Sequence, residues 1–369
     1  MRPYLLVAAV IIGATTALVG CSTLQRAVEI QSDLDGLTRS GVVGSIATLD
    51  DGTTTAVMTS GVPNRTNGDS ISKNDRVRIG SVTKTFTASL VLQLVAEGKV
   101  DLDAPIERYL PGLLHSSDMD GSGIDGSAIT VRQLLQHRSG LPEFAGEPGA
   151  DEWIAANENR TLTPSAAVAI ALGKPAQFVP GTSFVYTNTN YIVLGMLVES
   201  VSGRSYADEL RSRILDPLDL EDTYLPPAGE LDIRGDHLTG YQDLDGGLTD
   251  VSRTEPSIPW SAGAMVSTGT DLNTFWRALL DGRVVPAEQL AEMTTPQVAA
   301  TEAEGLGYGM GVGATELPCG VTYTGHSGGI YGYYTLSGAT PDRAFTVTLT
   351  STPKDQPDTV AILSHALCP

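Results

Sequence analysis

The chain has 369 residues, 41% of them hydrophobic and 18% charged, which supports a large core and excludes an intrinsically disordered chain. Acidic residues outnumber basic ones 43 to 23, for a net charge of −20. That balance excludes the basic footprint of a nucleic-acid binder and electrostatic docking on anionic lipid.

Residues 1–20 carry one charge, Arg2, ahead of apolar and small residues that end at Leu18-Val19-Gly20-Cys21. This is the n-region and h-region of a secretory signal peptide, too short to span a membrane comfortably. Small residues before a cysteine resemble a bacterial lipoprotein box, in which Cys21 is lipidated and becomes the first mature residue. An ordinary secretory peptide cut elsewhere and an uncleaved anchor are the alternatives. On the lipoprotein reading the body is extracytoplasmic and held at a bacterial membrane through Cys21. Loss of Arg2 leaves 22 basic against 43 acidic residues, a net charge of −21. Residues 21–38 show little periodicity and are expected to form a tether, with the folded body at 39–368.

Strand patterns follow at 42–49, 53–60 and 76–79, and the Asp50-Asp51-Gly52 turn predicts a hairpin between the first two. A helix is predicted from Ser81 to about Glu97. Phe86, Leu90, Val91, Leu94 and Val95 form its apolar stripe, and Gly98 stops it. Further helices are predicted at 130–137, 164–172, 189–202, 205–214, 270–281 and 286–293, with a surface loop at 116–127. Strand patterns return at 307–312, 321–324, 331–337 and 345–351, before a last helix at about 357–367. Strands at both ends with helices between predict an α+β fold. Its antiparallel sheet comes from both chain ends (39–98 and 300–368) and is flanked by helices, with a mainly helical lobe (99–299) inserted. A site is expected in the cleft between the lobes.

A Ser-x-x-Lys pair can supply a nucleophile and its base, and three pairs match: Ser70/Lys73, Ser81/Lys84 and Ser351/Lys354. Pro353 disfavours helix at the third, and the first lies in a polar loop without periodicity. Ser81 opens the amphipathic helix, so Lys84 shares its face and the helix dipole favours an oxyanion there. Lys84 gains a lowered pKa if it is buried. A plain N-cap serine is the other reading of Ser81. Tyr186 and Asn188 lie two apart on an extended segment and so reach one cleft. A turn followed by an Asn cap explains them equally. Gly325-His326-Ser327-Gly328-Gly329 allows close backbone approach, with His326 near the protons and the Gly329 N–H in an oxyanion hole. A tight strand bend with a solvated histidine is the alternative. His137 and Trp260 are read as structural.

In order, Ser81-Val82-Thr83-Lys84, Tyr186-Thr187-Asn188 and His326-Ser327-Gly328 resemble the class C β-lactamase and D-alanyl-D-alanine carboxypeptidase family of serine hydrolases (peptidase family S12). Leu135–Pro142, Tyr191–Gly195 and Ser261–Ser267 look like the same family. The likeness covers roughly residues 40–368 and is greatest to the secreted D-alanyl-D-alanine carboxypeptidase/transpeptidases. Like them, the chain has His-x-Gly where β-lactamases carry Lys-Thr-Gly.

The resemblance implies the β-lactamase/transpeptidase-like fold, Ser81 as acylated nucleophile, and Lys84 with Tyr186 managing its proton. It implies that Asn188, Ser327 and Gly328 bind substrate and that His326 assists Tyr186. The backbone N–H groups of Ser81 and Gly329 form the oxyanion hole. No metal or organic cofactor is implied. Cys319 and Cys368 are expected to form a disulfide. The implied activity is that of a D-amino-acid peptidase that reacts with penicillins. Its substrates are peptides or amides, including peptidoglycan stem peptides and β-lactams, and the protein is a monomer that meets the membrane only through its anchor. A class C β-lactamase-like esterase or β-lactamase is the alternative, and a non-catalytic surface sensor is an alternative of another class. The family's carboxypeptidases grip the substrate carboxylate with an arginine. The matching stretch, Gly311-Val312-Gly313-Ala314-Thr315, has none.

Overall fold

Asp51 shapes the first hairpin: its Oδ1 accepts the N–H groups of Thr53 and Thr54 at 2.9 and 2.8 Å, and Gly52 takes the positive φ of +83° that the turn needs. The computed structural model describes residues 15–66, 69–115, 123–145, 158, 160–244, 246–297, 307–351 and 359–369, without the side chains of 15–24 and 359. Helix α1 (Thr15–Arg39) precedes the paired strands β1 (Gly44–Asp50) and β2 (Thr55–Gly61). Strand β3 (Val77–Arg78) runs into helix α2 (Thr83–Ala96) through a single 3₁₀ turn at Gly80–Val82. Helices α3 (Val131–Leu135), α4 (Pro164–Leu172), α5 (Asn188–Ser202) and α6 (Tyr206–Leu210) follow. The hairpin β4 (Tyr241–Leu244) and β5 (Gly247–Asp250) comes next, then α7 (Trp260–Gly263) and β6 (Val266–Ser267), which pairs with β3. Helices α8 (Gly269–Leu280) and α9 (Ala287–Thr294) lead to β7 (Gly307–Tyr308), β8 (Gly313–Glu316), β9 (Thr322–Ile330), β10 (Tyr333–Ala339) and β11 (Ala344–Leu349), and α10 (Thr359–Leu367) ends the chain.

The main sheet has the order β2-β1-β11-β10-β9-β8-β7 and is antiparallel throughout. Both chain ends thus build one sheet, as the sequence predicts. Ala47, Leu49, Leu336, Phe345, Val347 and Leu349 share its outer face and pack beneath α1 and α10. The inner face meets α8, where Asn273 Nδ2 donates to Thr48 O at 2.9 Å and Trp276 Nε1 donates to Ser337 Oγ at 2.8 Å. Phe86 of α2 stacks on Phe275 of α8 with centroids 3.8 Å apart, joining the two helices. Cys319 and Cys368 are disulfide-bonded, which ties the β8–β9 turn to the end of α10.

Three expectations change. The tether at 21–38 is helix α1, and its stripe of Ala27, Ile30, Leu34 and Leu37 packs onto the sheet, with Ile30 and Leu34 wholly buried. Asp33 pairs with His365 of α10 at 2.7 Å, and Arg26 donates to the Cys368 carbonyl. The second change is the lobe boundary, because α8 lies on the sheet rather than in the helical lobe. Third, β8 and the β4–β5 hairpin had no strand prediction, while β9 runs on through His326 to Ile330. Residues 1–14 and most of the loop expected at 116–127 lie outside the described residues. Cys21 falls within α1, but its side chain is not described. Among the described residues, no helix is long and apolar enough to cross a membrane.

Candidate active site

Gly80 sets up the site. Its φ is +51°, and a Cβ there would lie 2.9 Å from the Gly329 carbonyl oxygen and 3.0 Å from the Gly329 nitrogen. On the facing strand, a Cβ on Gly328 would lie 2.0 Å from the Ile79 carbonyl oxygen. Both positions therefore require glycine, and their absent side chains let β9 press its backbone against Ser81. Strand β8 reaches along β9 only as far as Gly325, so the part of β9 from His326 to Ile330 presents a free edge toward Ser81.

Ser81 is not an N-cap: no side chain caps the start of the 3₁₀ turn or of α2. Instead its Oγ receives a hydrogen bond from Lys84 Nζ at 3.0 Å. Lys84 is wholly buried, and its Nζ also donates to Asn188 Oδ1 at 2.7 Å and Ala262 O at 2.8 Å. That contact turns the Asn188 NH₂ into the group it can offer a ligand. Ser70 and Lys73 are exposed, Ser351 Oγ accepts the Val43 N–H, and Lys354 lies outside the described residues.

Tyr186 precedes Thr187, whose side chain accepts the Thr189 N–H and starts α5 at Asn188. The Tyr186 ring lies 4.9 Å from Lys84 Nζ and remains 38% exposed. Both hydroxyl-bearing residues, Ser81 and Tyr186, thus flank one ammonium. Glu143 Oε2 accepts the Asn188 N–H at 2.7 Å, so a carboxylate sits at the positive end of α5.

His326 is buried on the inner face of β9, in register with Ser337. Its Nδ1 faces the Ser327 carbonyl, which only accepts, so the proton sits on Nδ1. Nε2 then accepts from Tyr308 O–H at 3.2 Å. Burial, and secondarily the Lys84 charge, hold the His326 pKa down at about 4. The same two causes lower His137 well below the usual histidine range. Both imidazoles are therefore neutral near pH 7, and Lys84 supplies the charge between them. Burial pushes the Tyr308 phenol far up, which keeps it protonated.

A cleft of about 380 Å³ opens over Ser81, walled by Asn188, Gln242, Gly329, Tyr331 and Tyr334 among others. Among the described residues, none that lines it carries a charge. No arginine stands there, in keeping with the stretch at 311–315. Gly329 reaches the wall, but two expected binding residues do not. The register places Ser327 on the outer face with Leu336, and Gly328 is buried against Ile79. Trp260 packs edge-on against Tyr206 at 5.4 Å, a structural role. Tyr308 and Glu143 carried no signal in the sequence beyond strand and loop patterns, and His137 was read as structural only. Among the described residues, no group of His, Cys, Asp and Glu is placed to hold a metal ion.

The Beta-lactamase family model matches residues 30–366. Penicillin-binding protein 4 of Amycolatopsis lactamdurans is 30% identical over 292 residues, covering 75% of this chain and 72% of that protein. Penicillin-binding protein 4* of Bacillus subtilis (strain 168) is 26% identical over 71% of this chain, which spans 57% of that relative. The crystal structure of a D-stereospecific amidohydrolase from Streptomyces sp. superposes with a TM-score of 0.83 at 35% identity, covering 93% of this chain and 98% of that one. Sequence match and superposition extend across both lobes that frame Ser81, and the chain is a serine hydrolase of the β-lactamase family.

Proposed function

We propose that the protein hydrolyses amides of D-amino acids or D-peptides through an acyl-enzyme on Ser81. The observation that carries the reading is the hydrogen bond from buried Lys84 to Ser81 Oγ. Asn188 Oδ1 and Ala262 O only accept, so they fix two of the Nζ protons. The Lys84 ammonium first gives up its third proton to solvent, and the neutral Nζ then turns its lone pair to Ser81 and takes the hydroxyl proton as Oγ attacks the carbonyl carbon. Tyr186, on the other side of Lys84 and 38% exposed, delivers its proton to the leaving amine and is reprotonated by the Lys84 ammonium, which restores the neutral amine. The N–H groups of Ser81 and Gly329 donate to the developing oxyanion, a contribution of about 10²–10³-fold per donor. Water repeats the sequence to release the acid.

Substrate choice follows from the uncharged cleft. A terminal carboxylate finds no guanidinium there to hold it with paired hydrogen bonds. An amide without that carboxylate loses nothing by comparison, and the Streptomyces neighbour acts on amides with D-stereospecificity by its description. The experiment compares kcat/KM for D- and L-amino-acid amides with that for a peptide ending in D-Ala-D-Ala. The expected order is D-amide above both others. A preference for the free carboxylate would return the protein to strict carboxypeptidase activity. Nitrophenyl-ester hydrolysis without amide hydrolysis would make it an esterase.

The proposal also places the enzyme outside the cytoplasm as a lipoprotein anchored at Cys21. The leader-like residues 1–20 and the Leu18-Val19-Gly20-Cys21 box support this. Replacing Cys21 by Ser should move the protein from the membrane to the soluble fraction. Unchanged fractionation would count against the anchor.

A further inference from the structure

We propose that His137 is a positioning residue that holds Tyr186 in place beside Lys84. This rests on the reading that Tyr186 serves the chemistry at Ser81. His137 sits in the turn after α3 with a φ of +56°, a left-handed conformation that a non-glycine residue adopts at a cost. Its imidazole is wholly buried. The Thr187 N–H, 3.2 Å from Nδ1, can only donate, so Nδ1 accepts and the proton sits on Nε2. Nε2 is buried and has no acceptor among the described residues. A strained backbone and an unmet buried donor are thus concentrated on one residue.

What they secure is the stretch around Tyr186. The His137 carbonyl accepts the Val185 N–H at 3.1 Å, and its ring nitrogen accepts the Thr187 N–H. Between those two bonds, the imidazole face lies on the Tyr186 ring with centroids 4.1 Å apart and planes 31° apart. One histidine therefore grips residues 185, 186 and 187 in turn. The following residues extend the grip. Gly181 N–H donates to Arg138 O at 2.8 Å, and Ser139 Oγ donates to Asn190 Oδ1 at 2.6 Å. His137 is wholly buried while Tyr186 is 38% exposed, so it acts on the reaction through Tyr186.

The test uses two substitutions in the full chain. His137→Phe keeps a flat ring over Tyr186 but leaves the Thr187 N–H without its acceptor. His137→Asn tolerates the left-handed backbone and offers an acceptor without the ring. Each should lower kcat by about 10- to 100-fold with little change in KM, the scale expected for a misplaced catalytic group. Each should also move the Lys84–Tyr186 limb of the pH–rate profile by about half a unit. Combining either with Tyr186→Phe should add little further loss. A folded variant with parental kcat and pH profile overturns the proposal. So does a loss confined to the fraction of active enzyme, with the remainder turning over at the parental rate. If Tyr186→Phe itself keeps parental kcat, the role of Tyr186 fails instead. If neither histidine variant folds, ¹H–¹⁵N NMR of the unaltered protein decides. The expected tautomer of His137 is Nε2–H, and Nδ1–H would contradict the geometry.

Discussion

Lys84 and the two neutral histidines govern the residue scale. His326 is held at about 4 in the fold, chiefly by burial, against about 6.5 when unfolded. Between those values the unfolded chain binds the proton more readily than the native one. Its contribution to stability is therefore complete above about pH 6.5 and is lost as the pH falls through about 4, a term of roughly 3 kcal/mol. His137 acts in the same direction. Urea unfolding at pH 7 and at pH 4.5 should show stability falling on acidification, and His326→Gln should flatten the fall. An equal slope in the variant would mean that His326 is not the buried neutral group described. Ser81 and Lys84 were legible because their i, i+3 spacing at a helix start has few meanings once the chain ahead is a strand. His137 was not, because a ring nitrogen that caps a distant N–H leaves no local pattern.

At the scale of elements, the site depends on how closely β9 approaches the turn before α2. Gly328 and Gly329 are neighbours with opposite surroundings. A Cβ on Gly328 meets the Ile79 carbonyl at 2.0 Å, while one on Gly329 meets nothing within 4 Å. Gly328→Ala should therefore push the strand away and lower kcat/KM by about 10²-fold or more, the value of an oxyanion donor. Gly329→Ala keeps its N–H and should stay within about tenfold of the parent. Equal losses would show that the close approach is not what builds the hole. Helix α1 was missed for a physical reason. Its stripe is four residues, Ala27, Ile30, Leu34 and Leu37, set among polar and acidic ones, and only the outer face of the sheet makes them a core. The β9 strand was cut short because Gly325, Gly328 and Gly329 read as a bend, whereas the small size of Gly328 serves backbone contact with Ile79 and Ser81. The disulfide closes a separation of 49 residues, worth roughly 4 kcal/mol in the chain-entropy view.

For the whole molecule, strands at both ends with helices between did imply the sheet and the inserted lobe. The lobe boundary was less legible, because α8 lies within the helical stretch of the sequence but packs on the sheet. The net charge of −20 surrounds an uncharged cleft. A field of that sign slows anionic acyl donors and favours amides that carry a free ammonium. Going from about 0.01 M to 0.15 M salt shortens the screening length from roughly 30 to 8 Å. Acylation by an anionic penicillin should then speed up severalfold, while kcat/KM for a cationic amide falls. Rates indifferent to salt would show that the surface charge does not reach the cleft. The kinetic expectations presuppose a covalent intermediate on Ser81. Intact mass after acid-quenched incubation with a penicillin or a nitrophenyl ester tests that directly. The account predicts one acyl adduct, mapped to the peptide holding Ser81 and absent from folded Ser81→Ala. An adduct that persists in Ser81→Ala, or turnover by the parent that Ser81→Ala retains, would contradict it.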